Sequence, residues 1–535
     1  MTSSRTHVAV ALVVVAGLFV GFAAMFVSSG VEVIDDAYIS FRYAANLVAG
    51  NGLVYNPGEA VQGYTNFLWV LLAAAGIAAG ISPVLLSVTV GFLAGLTTVG
   101  LTVWWSMRVV APGRLAAHLA GILLVSNMGF VVWSIRGLET GLFTLWILAA
   151  GLIYLHRGPE QPFPRRAALL LALACLTRPE GMLIAGLTVA HLVGARIRRR
   201  LPMVSRGDLA AAMLFCGLVG AYGAWTVWYY GDLLPNTFHA KVGGPADSLT
   251  RGFGYIRKFT GYGTGRPLWL LVFAVLPGRR AGWTRSYAAL LCSGYVVYVT
   301  AVGGDVFPAY RFLIPVLPYL YLLVTDGAAR IESLGLGLDR VGGRSPGQPD
   351  GPTMVSRVGM GILIVTLALS TFHPSRVFAR REWEGGNRYT RDMRMVGGWL
   401  RQHLPPGTWV AVNPAGALPY TSRLPTIDML GLNDREIALT PVRRLGSGRL
   451  AGHEKGNGKS VFRRRPGVIL VGGVKLDQQG GDLSWVPHNR SERELARLPG
   501  LYDIYRLESH RMPDGRHLTL LVRRDLRIRA ADPGA

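Results

Sequence analysis

The chain has 535 residues, of which 50% are hydrophobic and only 16% are charged. Soluble globular proteins carry roughly 25% charged residues, so this composition argues against a soluble protein and indicates a polytopic α-helical membrane protein. The formal charge of +24 does not require nucleic acid as a partner, because arginines clustered in the loops between membrane helices account for it.

Uncharged apolar runs recur along the chain, and several are long enough to cross a bilayer as a helix, which takes about 20 residues. The runs are Val8–Val31, Thr65–Val103, Leu115–Ile135, Gly141–Leu155, Leu209–Tyr230, Pro267–Pro277, Tyr287–Gly303 and Gly359–Phe372. They predict about eleven transmembrane helices. Arg5 precedes the first run, so we expect a cytoplasmic N-terminus, a retained signal anchor, and residues 31–64 outside the cell.

Two arrangements fit the stretch between Thr65 and Ala195. In the first, five spans occupy residues 66–81, 84–107, 115–133, 137–156 and 167–195. In the second, residues 66–107 hold one span and an interfacial segment, and residues 167–195 divide at "TRPEG" into two short helices. Both give eleven spans in total, but only the second keeps arginine-rich loops inside throughout, and we favour it.

The C-terminal part changes character after the last apolar run. Charged residues and prolines become frequent, and short strand-like runs occur at residues 408–413, 467–473 and 517–524, after a helical pattern at 391–404. We predict a transmembrane catalytic domain over 1–372 and an extracytoplasmic α/β domain over 373–535. A glycine- and arginine-rich segment, 443–465, is expected to be a mobile loop.

The first external loop begins "DDAYISFRY" and places two adjacent aspartates, Asp35 and Asp36, directly after the first span. A short helix is predicted to start at Asp36 and to lie on the membrane. Aspartate is a favoured N-cap residue, so Asp35 is expected to cap this helix. One cap needs only one carboxylate, however, and the pair is better explained as a functional dyad.

Charged and aromatic residues gather in four further motifs beside apolar segments. The motifs are "RGLET" with Glu139, "TRPEG" with Arg178 and Glu180, "LPNTFHAK" with Asn236, His239 and Lys241, and "GGDVFPAYRF" with Asp305, Tyr310 and Arg311. Ionisable residues inside membrane segments are costly and are functional candidates by default. Local ion pairs explain "RGLET" and "TRPEG" equally well, and Lys241, as a compact ammonium in a chain that prefers arginine, suits a phosphate oxygen.

The sequence contains no nucleotide-binding motif such as GxxxxGK[ST] or a GxGxxG after a strand. Carboxylates, cations and aromatic residues at one membrane face therefore suggest a sugar donor activated by a lipid phosphate. Carboxylates can handle the proton of the acceptor and the oxocarbenium-like charge, and cations can steady the departing phosphate.

These motifs, together with "VQGYTN" and the tail "VAVNPAGALPYTSRLPTIDMLGLNDREIA", resemble actinobacterial terminal arabinofuranosyltransferases of the AftB type, from Asp35 to about Ala438. The resemblance implies a GT-C membrane fold and transfer of D-arabinofuranose from decaprenyl-phosphoryl-arabinofuranose to the non-reducing ends of cell-wall arabinan (arabinogalactan or lipoarabinomannan). The expected product is a terminal β-(1→2) linkage, formed at the extracytoplasmic side of the plasma membrane without a nucleotide.

The resemblance also implies roles for individual residues. Asp35 and Asp36 would be catalytic, and because donor and product are both β-linked, one of them would act as nucleophile or as ion-pair stabiliser. Contacts to the donor phosphate would come from Lys241, Arg311, Arg42 and His239. Substrate contacts would come from Tyr38, Tyr64, Glu139, Arg178, Glu180, Asn236, Asp305 and Tyr310. Gln62 stands where the family commonly has Glu, and no essential acid role is assigned there.

Three questions stay open from the sequence. Another polyprenyl-phosphate-sugar transferase, such as a mannosyltransferase, is the nearest alternative function. A lipid or sugar transporter fits less well, because no internal repeat is evident. No cofactor is assigned, and although two aspartates could hold a divalent cation through their oxygens, no further ligand set is evident.

Overall fold

A computed structural model describes residues 2–241, 245–264, 282–341, 354–442, 454–477 and 484–529. The predicted run Pro267–Pro277 lies outside the described residues. Twenty α-helices are described, numbered here in chain order. They are α1 (Thr2–Ser28), α2 (Ala37–Val48), α3 (Phe67–Ala78), α4 (Pro83–Trp105), α5 (Leu119–Ser126), α6 (Met128–Trp133), α7 (Thr140–Arg157), α8 (Arg165–Thr177), α9 (Gly181–Arg199), α10 (Arg206–Tyr230), α11 (Asn236–Lys241), α12 (Pro245–Lys258), α13 (Trp283–Val302), α14 (Leu317–Val341), α15 (Met354–His403), α16 (Ala417–Ser422), α17 (Arg435–Leu439), α18 (Gly458–Arg464), α19 (Arg490–Leu495) and α20 (Leu501–Ile504).

Six helices in the described part of the chain are long and apolar enough to cross a membrane. They are Thr6–Ser28, Pro83–Val110, Thr140–Arg157, Gly181–Arg199, Arg206–Tyr230 and Arg311–Ser333. Three shorter apolar helices, at Phe67–Ala78, Leu115–Ser126 and Arg357–His373, accompany them. The prediction of a polytopic α-helical membrane protein is confirmed.

The helix boundaries between residues 65 and 199 match the second predicted arrangement in part: a short helix precedes α4 and a break falls at "TRPEG", but α9 has 19 residues and is long enough to span a membrane, so it is not a short helix. α3 has only 12 residues and α4 has 23, so one helix of spanning length follows one short segment. The break at "TRPEG" separates α8 from α9. Arg178 has φ −154° and ψ 140°, the extended conformation that a residue preceding proline favours for steric reasons.

The last long helix does not end where the apolar run ends. α15 has 50 residues and continues past Phe372 and Pro374, so the last apolar run and the helical pattern predicted at 391–404 belong to one helix. Its C-terminal part buries an apolar stripe of Met393, Val396 and Leu400, which recurs at helical spacing and extends the helix into the charged region.

The chain divides into two compact units that alternate along the sequence. The first comprises residues 1–31, 87–221 and 250–383, and the second comprises residues 32–86, 222–249 and 384–535. The predicted domains, 1–372 and 373–535, are consecutive, whereas the second unit combines the loop that follows the first helix with the C-terminal region. Hydrogen bonds from Arg42 to the carbonyls of Pro419 and Leu424 are part of the reason.

The C-terminal region of the second unit contains a six-stranded sheet. Its strands are β1 (Val410–Val412), β2 (Thr426–Asp428), β3 (Val468–Leu470), β4 (Leu476–Asp477), β5 (Tyr505–Arg511) and β6 (His517–Arg523). The order is β2-β1-β3-β6-β4, with β5 also on β6; β1 pairs parallel with β2 and β3, and β6 pairs antiparallel with its partners. The predicted α/β region and its three strand runs are confirmed.

The segment predicted as a mobile loop, 443–465, contains a helix instead. α18 begins after Asn457, whose side chain accepts a hydrogen bond from the backbone N–H of Ser460, a favourable N-cap. Val461 on this helix is fully buried in the core that covers the sheet, together with Ile427, Ile469 and Leu521. Residues 443–453 lie outside the described part of the chain.

Candidate active site

The entry to α2 shows that neither adjacent aspartate caps the helix. Asp36 occupies the N-cap position with φ −60° and ψ −26°, and its side chain makes no capping hydrogen bond. The backbone N–H groups of Ala37, Tyr38 and Ile39 instead donate to the carbonyls of Ile34, Asp35 and Asp36. Because this tight turn already satisfies the first donors of the helix, the interpretation of Asp35 as its cap is wrong.

Asp35 is a buried carboxylate held by the C-terminal region of the same unit. Only 7% of the residue is exposed, and its Oδ1 accepts a hydrogen bond of 2.8 Å from the backbone N–H of Ala417. Gly416 makes this approach possible, since a Cβ there would lie 2.0 Å from the Asp35 carbonyl oxygen and 2.6 Å from its Oδ2. Gly416, in the segment "NPAGALPY", therefore belongs to the same site as Asp35 in "IDDAY".

Burial raises the pKa of Asp35 from 3.8 to about 7. The backbone N–H groups of Ala417 and Gly416 lower this pKa and the charge of Asp36 raises it, but desolvation of the carboxylate is the largest cause. A carboxyl group with such a pKa is partly protonated at neutral pH. It is suited to exchanging a proton during a reaction.

Asp36 differs from its neighbour in being accessible. The residue is half-buried, and no hydrogen bond or ion pair joins its carboxylate to any side chain or N–H group in the described part of the chain. The two aspartates are therefore unequal: one is enclosed and held in place, and the other is open. The described residues contain no cluster of three or more His, Cys, Asp or Glu side chains that could hold a metal ion.

Tyr389 is a site residue that the sequence did not reveal. It lies on α15, it is 41% exposed, and desolvation together with the charges of Asp35 and Asp36 raises its pKa well above 10. The phenol thus stays protonated and lies within the electrostatic field of both carboxylates. Nothing in the local sequence "GNRYTRD" distinguishes this tyrosine, because only the packing of α15 brings it to the aspartates.

Arg42 makes contacts that hold the first loop to the C-terminal region. Its Nε donates to the carbonyl of Tyr55 at 2.8 Å and its Nη2 donates to Asn56 Oδ1 at 2.9 Å. The carbonyls of Pro419 and Leu424 accept the remaining hydrogen bonds, and the guanidinium stacks 4.4 Å from the Tyr55 ring centre. These contacts account for the arginine without a phosphate, and the predicted phosphate contact stays a prediction.

The two predicted substrate tyrosines of the first loop are both buried. Tyr38 packs 5.5 Å from Tyr420, ring centre to ring centre, one helical turn after Asp35. Tyr64 packs edge-on against Tyr43 at 4.9 Å, and its hydroxyl lies 3.1 Å from that of Tyr230. Of the two tyrosines, Tyr38 is the one close to the dyad in sequence, and it lies in α2, which begins directly after Asp36.

The "LPNTFHAK" residues lie in the same unit as the dyad. The amide of Asn236 donates to the carbonyls of Gly431 and Leu432. His239 Nε2 lies 3.0 Å from Asp232 Oδ2, and a hydrogen bond from the Leu234 N–H lowers the pKa of that carboxyl. Lys241 is half-buried, and no described residue forms an ion pair with it. Among these side chains, Lys241 is the one suited to an external anion.

The remaining predicted residues lie in the first unit, where they form one cluster of ion pairs. Arg178 binds Glu139 at 2.8 Å and Glu180 at 2.7 Å, with all three side chains largely buried. Arg311 binds Asp305 at 2.7 Å and 3.3 Å.

Phe312 separates the two arginines, with its ring centre 5.3 Å from the Arg178 guanidinium carbon and 5.4 Å from that of Arg311. Tyr310, next to Arg311, has a positive φ of 54°, which turns the chain sharply into the following helical turn. The five charged groups, Glu139, Arg178, Glu180, Asp305 and Arg311, sum to one negative charge.

The fold that carries these residues is that of a known class. The chain is similar to ArnT from Cupriavidus metallidurans bound to undecaprenyl phosphate, with a TM-score of 0.55, 13% identity, and coverage of 94% of this chain and 97% of that chain. The apo state of ArnT gives a TM-score of 0.54 at 12% identity, covering 94% and 98%. The protein therefore has the GT-C fold of membrane glycosyltransferases.

Two relatives indicate which kind of membrane glycosyltransferase the chain resembles in sequence. The terminal beta-(1->2)-arabinofuranosyltransferase of Mycobacterium tuberculosis is 32% identical over 241 residues, which cover 42% of this chain and 37% of the relative. The enzyme of the same name from Corynebacterium glutamicum is 28% identical over 334 residues, covering 54% and 46%. The chain thus spans less than half the length of either relative, and over these portions the predicted resemblance is confirmed. A family described as a domain of unknown function (DUF8728) matches residues 381–512.

Proposed function

We propose that this protein is an arabinofuranosyltransferase that uses decaprenyl-phosphoryl-arabinofuranose as donor. It adds D-arabinofuranose to the non-reducing ends of cell-wall arabinan and forms terminal β-(1→2) linkages. The observation that carries the proposal is its similarity to two relatives named for this activity. The unequal aspartates at the start of α2 supply the chemistry that such a transfer needs.

The donor class is supported by the fold. ArnT, which shares it, was solved with undecaprenyl phosphate, a polyprenyl phosphate. In the proposed reaction the bond between the anomeric carbon and the phosphate oxygen breaks, and decaprenyl phosphate leaves. A bond forms from the anomeric carbon to the acceptor oxygen, whose proton passes to a base. The reaction takes place on the extracytoplasmic side of the plasma membrane.

The two aspartates are proposed to have different roles. Asp36, which is open, faces the sugar and stabilises the positive charge that develops at the anomeric carbon. Asp35, whose pKa is near 7, lies next to it and takes or returns the proton of the acceptor hydroxyl. Positioning of Asp35 depends on the N–H group of Ala417, so the C-terminal region takes part in building the site.

The donor phosphate is proposed to contact Lys241, with His239, Arg311 and Arg42 as further predicted contacts. Lys241 is favoured because no described carboxylate neutralises it, whereas Arg311 is paired with Asp305 and Arg42 with carbonyls. The C-terminal region, with its exposed loops around the sheet, is proposed to bind the arabinan acceptor.

A membrane assay tests the proposal. Membranes containing the full chain are incubated with decaprenyl-phosphoryl-arabinofuranose and a short arabinan, and the products are analysed for terminal β-(1→2) linkages. Asp36→Asn should reduce transfer by about 100-fold or more, within the range that a positioned acid or base contributes. Asp477→Asn, at an exposed position of the same unit, is the matched control and should be as active as the wild type.

Two results would contradict the proposal. One is wild-type transfer by both Asp35→Asn and Asp36→Asn, which would remove the aspartates from the reaction. The other is transfer of mannose from a polyprenyl-phosphoryl-mannose with no transfer of arabinofuranose, which would keep the donor class and replace the sugar.

A further inference from the structure

One cavity in the second unit is separate from the two aspartates. A groove of about 1020 Å³ opens within the second unit, and its walls come from α2, the start of α4, α15 and α16. We call it the arginine groove, because Arg394, Arg401 and Arg423 line it in addition to Arg42. Asp35 and Asp36 do not line it.

The arginine groove is strongly positive. Among the described residues that line it, none is acidic. Arg394, Arg401 and Arg423 are all exposed, and no hydrogen bond or ion pair joins any of their guanidinium groups to another described residue. Arg394 and Arg401 are seven residues apart on α15, so they project from the same face about 10 Å apart along the helix.

Two acids that lie on α15 or contact it are already paired with other arginines. Asp392 pairs with Arg516 at 3.0 Å, and Glu32 pairs with Arg391 at 3.4 Å. None of the three exposed groove arginines is therefore paired with a described carboxylate. Exposed guanidinium groups that converge on one cavity suit a phosphate, which they bind with paired, charge-assisted hydrogen bonds.

One wall of the arginine groove is the start of a helix of membrane-spanning length. Ser82, Pro83 and Val84 line the groove, and Pro83 is the first residue of the candidate span Pro83–Val110. Apolar residues beside this wall are exposed, with Ile81 at 42% and Leu85 at 61%.

Trp409, which also lines the groove, is 37% exposed, and tryptophan concentrates at the level of lipid headgroups. The groove thus borders the membrane surface.

We infer that the arginine groove binds the phosphate headgroup of an anionic membrane phospholipid, whose acyl chains lie along the start of α4. This site goes beyond the proposed reaction, since its ligand is a lipid of the bilayer and neither donor nor acceptor. The headgroup contacts come from Arg394, Arg401 and Arg423, because the Arg42 guanidinium is already bound to carbonyl oxygens and Asn56. Charge complementarity selects an anionic lipid, and the apolar rim selects a lipid over a free phosphate. Basic pockets at the ends of membrane helices are a known physical means of headgroup recognition.

The test uses the full-length protein and does not depend on transferase activity. Wild type and the triple variant Arg394→Gln, Arg401→Gln, Arg423→Gln are placed in nanodiscs of phosphatidylcholine with or without phosphatidylglycerol. Bound lipid is counted by native mass spectrometry, and the unfolding midpoint is measured. The matched control replaces Arg493, Arg497 and Arg511 with Gln, which are exposed in the same unit and outside the groove, so that the loss of net charge is equal.

The expected result is that phosphatidylglycerol is retained by the wild type and the control, and that the groove variant loses at least tenfold in affinity for it. If the triple variant does not fold, the single Arg401→Glu variant is used, with the same expectation. Equal retention of phosphatidylglycerol by all proteins would overturn the inference. So would arginine-dependent binding of decaprenyl phosphate or of an acidic polysaccharide in preference to phosphatidylglycerol, because the groove would then serve a substrate.

Discussion

Replacing Asp35 with asparagine should stabilise the folded protein at alkaline pH. Burial raises the pKa of Asp35 from 3.8 to about 7 in the folded state, whereas the unfolded chain keeps the ordinary value. Between these two pH values the folded state holds a proton that the unfolded state has released, so the free energy of unfolding falls as the pH rises. One pKa unit corresponds to about 1.36 kcal/mol, and the full loss is therefore about 4 kcal/mol.

Asn at this position keeps the shape of the side chain and can accept the hydrogen bond from the Ala417 N–H, but it carries no charge to desolvate. At pH 5 the variant should be more stable than the wild type by only about 1.6 kcal/mol, because this pH lies about 1.2 units above the pKa of the unfolded aspartate. At pH 8 the variant should be more stable by up to about 4 kcal/mol. In a unit of 150–250 residues, each kcal/mol moves the unfolding midpoint by about 2–4 °C, so the expected rise is on the order of 10 °C.

The assay is thermal unfolding of the full chain in detergent at pH 5, 6, 7 and 8, followed by intrinsic fluorescence at one scan rate. Asp477→Asn provides the control for an exposed aspartate. Asp36→Asn should flatten the pH dependence of the otherwise wild-type protein, because the charge of Asp36 raises the pKa of Asp35. A difference between Asp35→Asn and wild type that is the same at pH 5 and pH 8 would refute the electrostatic reasoning, as would a variant that is less stable at pH 8.

Three further substitutions test how the site and its surroundings are held. Gly416→Ala places a Cβ 2.0 Å from the Asp35 carbonyl oxygen and should cost about 1–3 kcal/mol, together with most of the transfer activity; a fully active, fully stable variant would contradict the contact. Arg42→Lys removes the planar fork that binds several carbonyls and should lower the unfolding midpoint, whereas an unchanged midpoint would show that the fork is dispensable. Arg178→Ala removes the buried arginine that binds both Glu139 and Glu180 and should cost about 3–5 kcal/mol, which chemical denaturation at pH 7 would measure.

Much of the architecture could be predicted because it depends on local pattern. Apolar runs predicted the membrane helices, the short β-rich runs predicted the strands around Ala411, Ile469 and Leu521, and the Pro179 break in "TRPEG" predicted two helices in place of one. The helix at 458–464 was mispredicted as a loop. It is stabilised by burial of Val461 against partners distant in sequence, which outweighs the glycine and arginine content of the segment.

The candidate site was predictable only in part. The two adjacent aspartates are visible in the sequence, and the catalytic role of Asp36 stays a prediction. The inequality between them was not predictable, because it is produced by the backbone N–H of Ala417 and by the lack of a side chain at Gly416. Tyr389 was missed because the sequence around a helical tyrosine does not indicate which loop packs beside it.

The hydrogen bond between Asp35 and Ala417 also has a consequence for the order in which the protein becomes functional during synthesis. The two residues are 382 positions apart, so the carboxylate emerges from the ribosome long before its donor exists. During synthesis, α1 and the following loop are therefore present without this hydrogen bond until most of the chain has been made. Under the proposed function, we expect a chain that stops before residue 417 to be inactive in transfer, because its Asp35 lacks this hydrogen bond.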